Sequence, residues 1–267
     1  MGTDKRQRQK EGHRLQREEL ARQAKRRQTR RRALFFVGAV VVFFGIVFVV
    51  DLLQGDDDDT ESAATSTTVA PTTTIESTTE CPAADGSSPV TLSFETPPPL
   101  CIDPSKTYTA TFDTSEGEFT VDLDTANTPQ TVNNFVVLSR YHYYDDNPVF
   151  RTDPSIGIFQ AGGADRDSDP GYTIPDEGSG YTYEPGQIVM ARTPEPNSAS
   201  AQFFLVGTDA ASSLDADGSY VVFGTTDEAG IGVINDILAL HEADPSDPLG
   251  GRPNPAVTIN SVTIEES

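Results

Sequence analysis

Acid–base or nucleophilic catalysis would have to draw on three histidines, His13, His142 and His241. No Gly-x-Ser-x-Gly elbow occurs, and neither His142 nor His241 stands in a setting that would pair it with a serine and an aspartate. Both read as surface residues. Asp165, Asp167 and Asp169, with Asp176 eleven positions after the first, have the beginnings of a calcium loop. The sixth position, which that loop needs as glycine, is Pro170, and the flanking helices are lacking. The stretch reads as a solvated acidic loop. Gly162-Gly163 lacks the spacing of a phosphate cradle. Nothing in these patterns calls for a metal or a cofactor.

Three other segments stand out together. The first is Val149-Phe150-Arg151, followed by Gln160-Ala161-Gly162-Gly163. The second is Met190-Ala191-Arg192, leading through Pro196-Asn197-Ser198 to Ala201-Gln202-Phe203-Phe204. The third is Ser213-Leu214-Asp215, followed by Gly218-Ser219-Tyr220-Val221-Val222-Phe223-Gly224. With the Thr-Pro-x-Thr-Val-x-Asn-Phe run at 128–135, this order and spacing resembles the cyclophilin family of peptidyl-prolyl cis-trans isomerases over about residues 108–264.

The resemblance implies an all-β fold, a closed eight-stranded antiparallel barrel with two capping helices, with a shallow groove on its outer wall. It implies that Arg151 is the catalytic arginine, with Gln202 and Phe204 as the groove's glutamine and its proline-pocket phenylalanine. Ala191 matches a backbone contact, Leu214 a pocket leucine, and Tyr220 a position where many bacterial members carry Tyr. Gln160 is the candidate for the first groove glutamine, with Ala161 one register away. Ile158 and Phe159 are candidates for the pocket. The family's pocket tryptophan is replaced by Ser213, so weak cyclosporin binding is implied. Arg192 and Thr193 replace the Asn-Ala often seen after Met-Ala.

These residue types suit rotation about an X-Pro bond. Amide resonance opposes that rotation with a barrier of about 18–20 kcal/mol. At the twisted transition state conjugation is lost and the proline nitrogen becomes basic. A fixed cation that donates to that nitrogen or to the neighbouring carbonyl lowers the barrier without a covalent nucleophile. Arginine suits the role, being always charged and carrying a rigid fork of donors. Phe204 and Leu214 would seat the proline ring, and Gln202 would orient the backbone and Arg151. Phe203 and Phe223 read as ordinary core. The partners implied are Pro-containing segments of unfolded or partly folded proteins. A second reading of the same residues is a cyclophilin-like module that binds such segments without turnover.

The elements that must position these residues follow from periodicity. Thr109–Phe112 and Glu118–Leu123 read as strands, the second alternating Phe119, Val121 and Leu123 against Thr120 and Asp122. Thr128-Pro129 starts a helix, with Val132, Phe135 and Val136 on one face. Tyr141–Pro148 reads as a polar, aromatic loop. Further strands are expected at Gln187–Ala191, Ala201–Val206, Tyr220–Phe223 and Val257–Ile264, and a second helix at Ile231–Leu240. Many short strands with two helices fit a barrel or sandwich.

Charge divides the chain. Residues 1–32 hold 13 Lys/Arg against four acids, whereas the remainder holds six basic residues against 37 acids. The acidic part lacks the clustered cations that nucleic acid requires. Ala33 to Val50 is an 18-residue run without charge, preceded by Arg30, Arg31 and Arg32 and closed by Asp51. A transmembrane helix over 33–53 is expected, uncleaved, with the basic tail 1–32 in the cytoplasm and the rest outside. Residues 54–106 read as a low-complexity linker and neck, followed by the isomerase domain at 107–267. Cys81 and Cys101, 20 residues apart in an oxidising compartment, suggest a disulfide across the neck, with two free thiols as the other reading.

Overall fold

Strand patterning in this chain is short and repeated, and it gathers into a single sheet. A computed structural model of the chain describes residues 77–244 and 249–267. The expected tail, the transmembrane span and residues 54–76 of the linker lie outside the described residues. Among the described residues no helix is long and apolar enough to cross a membrane.

The strands are β1 (Tyr108–Thr114), β2 (Gly117–Leu123), β3 (Asn147–Pro148), β4 (Arg151–Asp153), β5 (Ile158–Ala161), β6 (Gln187–Met190), β7 (Phe203–Val206), β8 (Val222–Thr225), β9 (His241–Ala243), β10 (Gly251–Pro253) and β11 (Thr258–Glu266). They join one antiparallel sheet in the order β3-β11-β1-β2-β8-β6-β7-β5-β4-β10-β9. β3 and β4 are parts of one chain run. Asn147 and Pro148 pair with β11, while Arg151–Asp153 pair with β5. Between them Val149 N–H donates to the Val257 carbonyl and Phe150 N–H to that of Gln160. The sheet therefore curls until both ends of its main order meet on residues 147–153. Periodicity names six of these strands, and the resemblance implies a barrel of eight. The pairing adds β5, the short β9–β10 hairpin and two strands from the 147–153 run; the last two residues of the expected Tyr141–Pro148 loop form β3.

Alternation sorts the side chains. On β5 and β7, Phe159, Ala161, Phe203 and Leu205 point into the interior, whereas Ile158, Phe204 and Val206 belong to a separate apolar cluster on the outer wall. The interior is aromatic: Phe112 stacks on Phe119 at 4.9 Å, and Phe135 meets Phe203 edge-on at 5.8 Å. Burying each such ring contributes about 1.5–3 kcal/mol.

Helix α1 (Pro129–Arg140) starts at the expected place, but Thr128 does not cap it with its side chain. Thr128 Oγ1 donates instead to the Asp124 carbonyl at 2.9 Å. The cap is Glu177, whose carboxylate accepts from Gln130 N (2.9 Å) and Thr131 N (2.6 Å). A negative group is favoured at a helix N-terminus, where backbone N–H groups lack partners. Helix α2 (Glu228–Ala239) is capped in the ordinary way, Asp227 accepting from Gly230 N at 3.0 Å.

The neck departs most from expectation. From Ser77 onwards it is folded against the domain. Phe94 and Ile102 are 8% and 5% exposed and belong to the interior cluster. Phe94 lies 5.3 Å from the Tyr141 ring. Asn133 of α1 accepts from Cys101 N (2.7 Å) and Ile102 N (3.2 Å) and donates to the Pro99 carbonyl. Cys81 and Cys101 are bonded, with 5.4 Å between their Cα atoms. Prolines and short polar residues make such a segment look structureless. Here side chains of the domain satisfy its backbone.

Candidate active site

Arg151 opens β4 and points along the outer wall, because β4 alternates with the buried Thr152 facing inward. Across the β4–β5 ladder its partner is Gln160, and across β5–β7 the partner of Gln160 is Phe204. Arg151 Nη1 donates to Gln160 Oε1 at 3.1 Å, and Gln160 Nε2 donates to Gln202 Oε1 at 3.0 Å. Gln202 Nε2 donates in turn to the carbonyls of Arg166 (2.9 Å) and Ser168 (3.1 Å). A single polar relay thus joins cation, two amides and a loop backbone.

The relay is anchored at both ends. Arg151 Nη2 donates to Asp153 Oδ2 at 2.9 Å, and Nε to the Leu249 carbonyl. Both partners of the ion pair are mostly shielded, at 14% and 15% side-chain exposure. Burial pushes the Asp153 carboxyl up, but hydrogen bonds from Ser155 and Arg151 and the guanidinium charge outweigh it and hold it below its ordinary value. The Gln202 backbone is held as well. Asn134 Nδ2 donates to the Ser200 carbonyl and the Tyr144 hydroxyl to that of Ala201. Gly162, at φ +100°, lets the end of β5 approach this stretch: a Cβ there would sit 2.6 Å from the Ala201 carbonyl oxygen and 2.8 Å from Gln202 Cα. An L side chain at that φ is strained as well.

Beside the relay lies an apolar seat. Phe204 is 4% exposed, with Ile158 and Tyr183 beneath it and Leu214, Tyr220 and Ala191 as a partly buried rim. The Tyr220 ring meets Phe204 edge-on at 5.7 Å. Tyr183 fixes Tyr220 from below: its hydroxyl donates to the Tyr220 carbonyl (3.1 Å) and accepts from Tyr220 N (2.9 Å). Burial pushes the Tyr183 hydroxyl up to about 12, which keeps it a donor at neutral pH. Arg192 lies over the other face of this rim, 6.0 Å from the Tyr220 ring centroid, and pairs with Asp176 at 3.3 Å.

The structure brings together Arg151, Gln160, Gln202, Phe204, Ile158, Ala191, Leu214 and Tyr220. It removes Phe159, which is fully buried in the interior cluster. Phe159 follows Ile158 and precedes Gln160, so alternation turns it inward. The same parity sends Ala161 inside and leaves Gln160 on the face of Arg151. Asp153 and Tyr183 escaped the sequence reading. Asp153 could have been found, since it stands two residues from Arg151 on a strand and must share its face. Tyr183 lies outside any strand and carries no such signal. The acidic run forms hydrogen-bonded turns, with Asp165 Oδ1 accepting from Ser168 Oγ (2.7 Å) and Asp169 Oδ1 from Gly171 N (2.7 Å). His241, read as a surface residue, packs on Thr152, with Nδ1 2.9 Å from its hydroxyl.

A curled antiparallel sheet whose outer wall carries a guanidinium relay beside an aromatic seat defines the cyclophilin-like class. Residues 109–264 match the family model described as cyclophilin type peptidyl-prolyl cis-trans isomerase/CLD, which covers more than half of the chain. The chain belongs to the cyclophilin-type peptidyl-prolyl cis-trans isomerase family.

Among curated relatives, it is 30% identical over 180 residues to the "Probable peptidyl-prolyl cis-trans isomerase B" of Mycobacterium leprae. That match spans 61% of this chain and 58% of the relative, little more than half of its length. It is 33% identical over 129 residues to the "Peptidyl-prolyl cis-trans isomerase cyp18" of Streptomyces antibioticus, covering 45% of this chain and 77% of that protein. Among solved structures, a Cryptosporidium parvum cyclophilin type peptidyl-prolyl cis-trans isomerase superposes with a TM-score of 0.51 at 22% identity. The superposition covers 60% of this chain and 99% of that one.

Proposed function

We propose that this chain is an active peptidyl-prolyl cis-trans isomerase that accelerates X-Pro rotation in extracytoplasmic proteins, a membrane-tethered folding helper. The observation that carries the reading is the Asp153–Arg151–Gln160–Gln202 relay beside the Phe204 seat. The proline ring rests on Phe204 against Ile158, Leu214 and Tyr220, while the acyl part of the peptide turns. Guanidinium carries five N–H donors. Among the described residues, three are engaged by Leu249, Gln160 and Asp153, which leaves two for the substrate. One of them donates to the proline nitrogen or its neighbouring carbonyl as conjugation is lost. No side chain bonds covalently to the substrate, and no proton leaves the protein. Because the donor is already oriented, little reorganisation accompanies the twist.

The curled sheet, with its ends meeting at 147–153, is read as a closed eight-stranded barrel extended by the β9–β10 hairpin. Tethering is supported by the uncharged run at 33–50 behind Arg30–Arg32, and an exterior location by the Cys81–Cys101 bond. Pro-containing segments of exported proteins are the proposed partners. With Ser213 exposed at the tryptophan position, cyclosporin is expected to bind weakly.

A protease-coupled assay on a proline tetrapeptide tests the reading with the purified full chain. Wild type should show turnover, and Arg151→Ala should lower kcat/KM by about 10²–10³, the usual cost of removing a preorganised donor. A folded wild type that binds the peptide but leaves its isomerisation at the uncatalysed rate would make the chain a binding module.

A further inference from the structure

Arg151 has one partner that gripping a proline does not require. Its Nε–H donates to the backbone carbonyl of Leu249, 98 positions along the chain. Backbone reaches so near the β4 strand only because the next two residues are glycines. Gly250 adopts φ +114°, and a Cβ there would lie 2.7 Å from the Thr152 carbonyl oxygen, 3.2 Å from Asp153 Cβ and 3.3 Å from Asp153 Cγ. Gly251 pairs directly with Thr152. Its own Cβ would meet the Glu242 carbonyl of β9. The segment 249–251 is thus pressed between β4 and β9 at Gly250 and Gly251, where no side chain is in the way. It touches both residues that follow Arg151 and supplies an acceptor for Arg151 itself.

We propose that Leu249–Gly251 is a backbone cradle that aims the Arg151 guanidinium, with Gly250 as a positioning residue for catalysis. This rests on Arg151 being the catalytic cation. Three acceptors from three places hold the guanidinium: Asp153 of β4, Gln160 of β5 and the Leu249 carbonyl. Two of them lie along the outer wall, and the third fixes the end nearest the aliphatic stem. Any L residue at 250 strains the backbone. It also pushes on the Thr152 carbonyl and the Asp153 side chain together, so that the Leu249 acceptor and the Asp153 carboxylate move at once. Misplacing a catalytic group by about 1 Å can lower a rate about 100-fold.

The test uses the full chain as wild type, Gly250→Ala, Arg151→Ala and the double variant, with Gly232→Ala as a control on α2. Gly250→Ala should lower kcat/KM by about 10- to 100-fold while KM for the tetrapeptide moves less than about twofold. In the Arg151→Ala background the same change should alter the residual rate less than about twofold, because the group it aims is gone. Equal losses in both backgrounds, or a Gly250→Ala enzyme as fast as wild type, would overturn the cradle. Should Gly250→Ala not fold, the wild type decides by NMR. The Arg151 Nε–H resonance, identified by its absence in Arg151→Lys, should exchange slowly with water. Exchange as fast as that of an exposed arginine would overturn the proposal. The NMR arm does not depend on turnover, so an inactive wild type would count against the isomerase reading and leave the cradle to be judged separately.

Discussion

Asp153 decides how the groove responds to acid. Its carboxyl is held below the ordinary value, so it remains ionised wherever an exposed aspartate would. The sign follows from that depression: the stabilisation it gives is complete above the unfolded value, near pH 4, and is lost as pH falls through the lower folded value. Arginine stays protonated throughout. We therefore expect kcat/KM, corrected for spontaneous isomerisation, to stay level between about pH 6 and 9 and to fall only on strong acidification. A titration step in the neutral range would point to a group outside this relay. The individual residues were legible to different depths. Arg151, Gln202 and Phe204 were found by resemblance in the order of segments. Gln160 needed the β4–β5 register, which places it opposite Arg151. Phe159 was lost because pocket and core phenylalanines look alike until strand parity is known.

Elements show a second level of dependence. The strands were legible because their alternation is local, and the observed ends lie within two residues of those read for β1, β2, β7, β8 and β11. β3, β9 and β10 are two or three residues long, too short for any period to appear. Helix α2 is legible from its apolar face, but its Asp227 cap is not part of that pattern, and its start lies three residues before the one expected. Gly232 in that helix has nothing within 4 Å of where a Cβ would be, and no left-handed φ. Gly232→Ala should therefore raise stability by about 0.5–1 kcal/mol, the helix cost of glycine, without changing activity. Chemical denaturation and the coupled assay check both parts. Helix α1 is different, because its N-terminus is completed by Glu177, 47 residues beyond Gln130. No local pattern announces a cap from so far away.

At the scale of the whole molecule, the Cys81–Cys101 bond joins the neck to a domain whose interior it helps to fill. The loop it closes spans 20 residues. Replacing both cysteines by serine should cost about 3 kcal/mol of stability, as for other loops of that length. Activity at low temperature should persist, since the groove residues lie on β4–β7 and their rim. Thermal unfolding followed by far-UV circular dichroism, with and without reductant, measures the first, and the coupled assay the second. A result unchanged by reduction would mean that the packing of Phe94 and Ile102 holds the neck unaided. Composition concealed this part of the fold: a Pro- and Ser-rich tract looks unstructured when the acceptors for its backbone come from elsewhere, as Asn133 does for Cys101 and Ile102. The neck also determines where tension would enter. A pull on the chain upstream of Ser77 meets the hydrogen bonds of Ser77–Thr79 to Thr96 and Pro97, then the sulfur bridge, and then Asn133 on α1. Load is taken up along that path before it reaches β4, β5 or β7. Tension applied to the chain would therefore strain the neck and its sulfur bridge first, with the wall that carries Arg151, Gln160 and Phe204 lying beyond them.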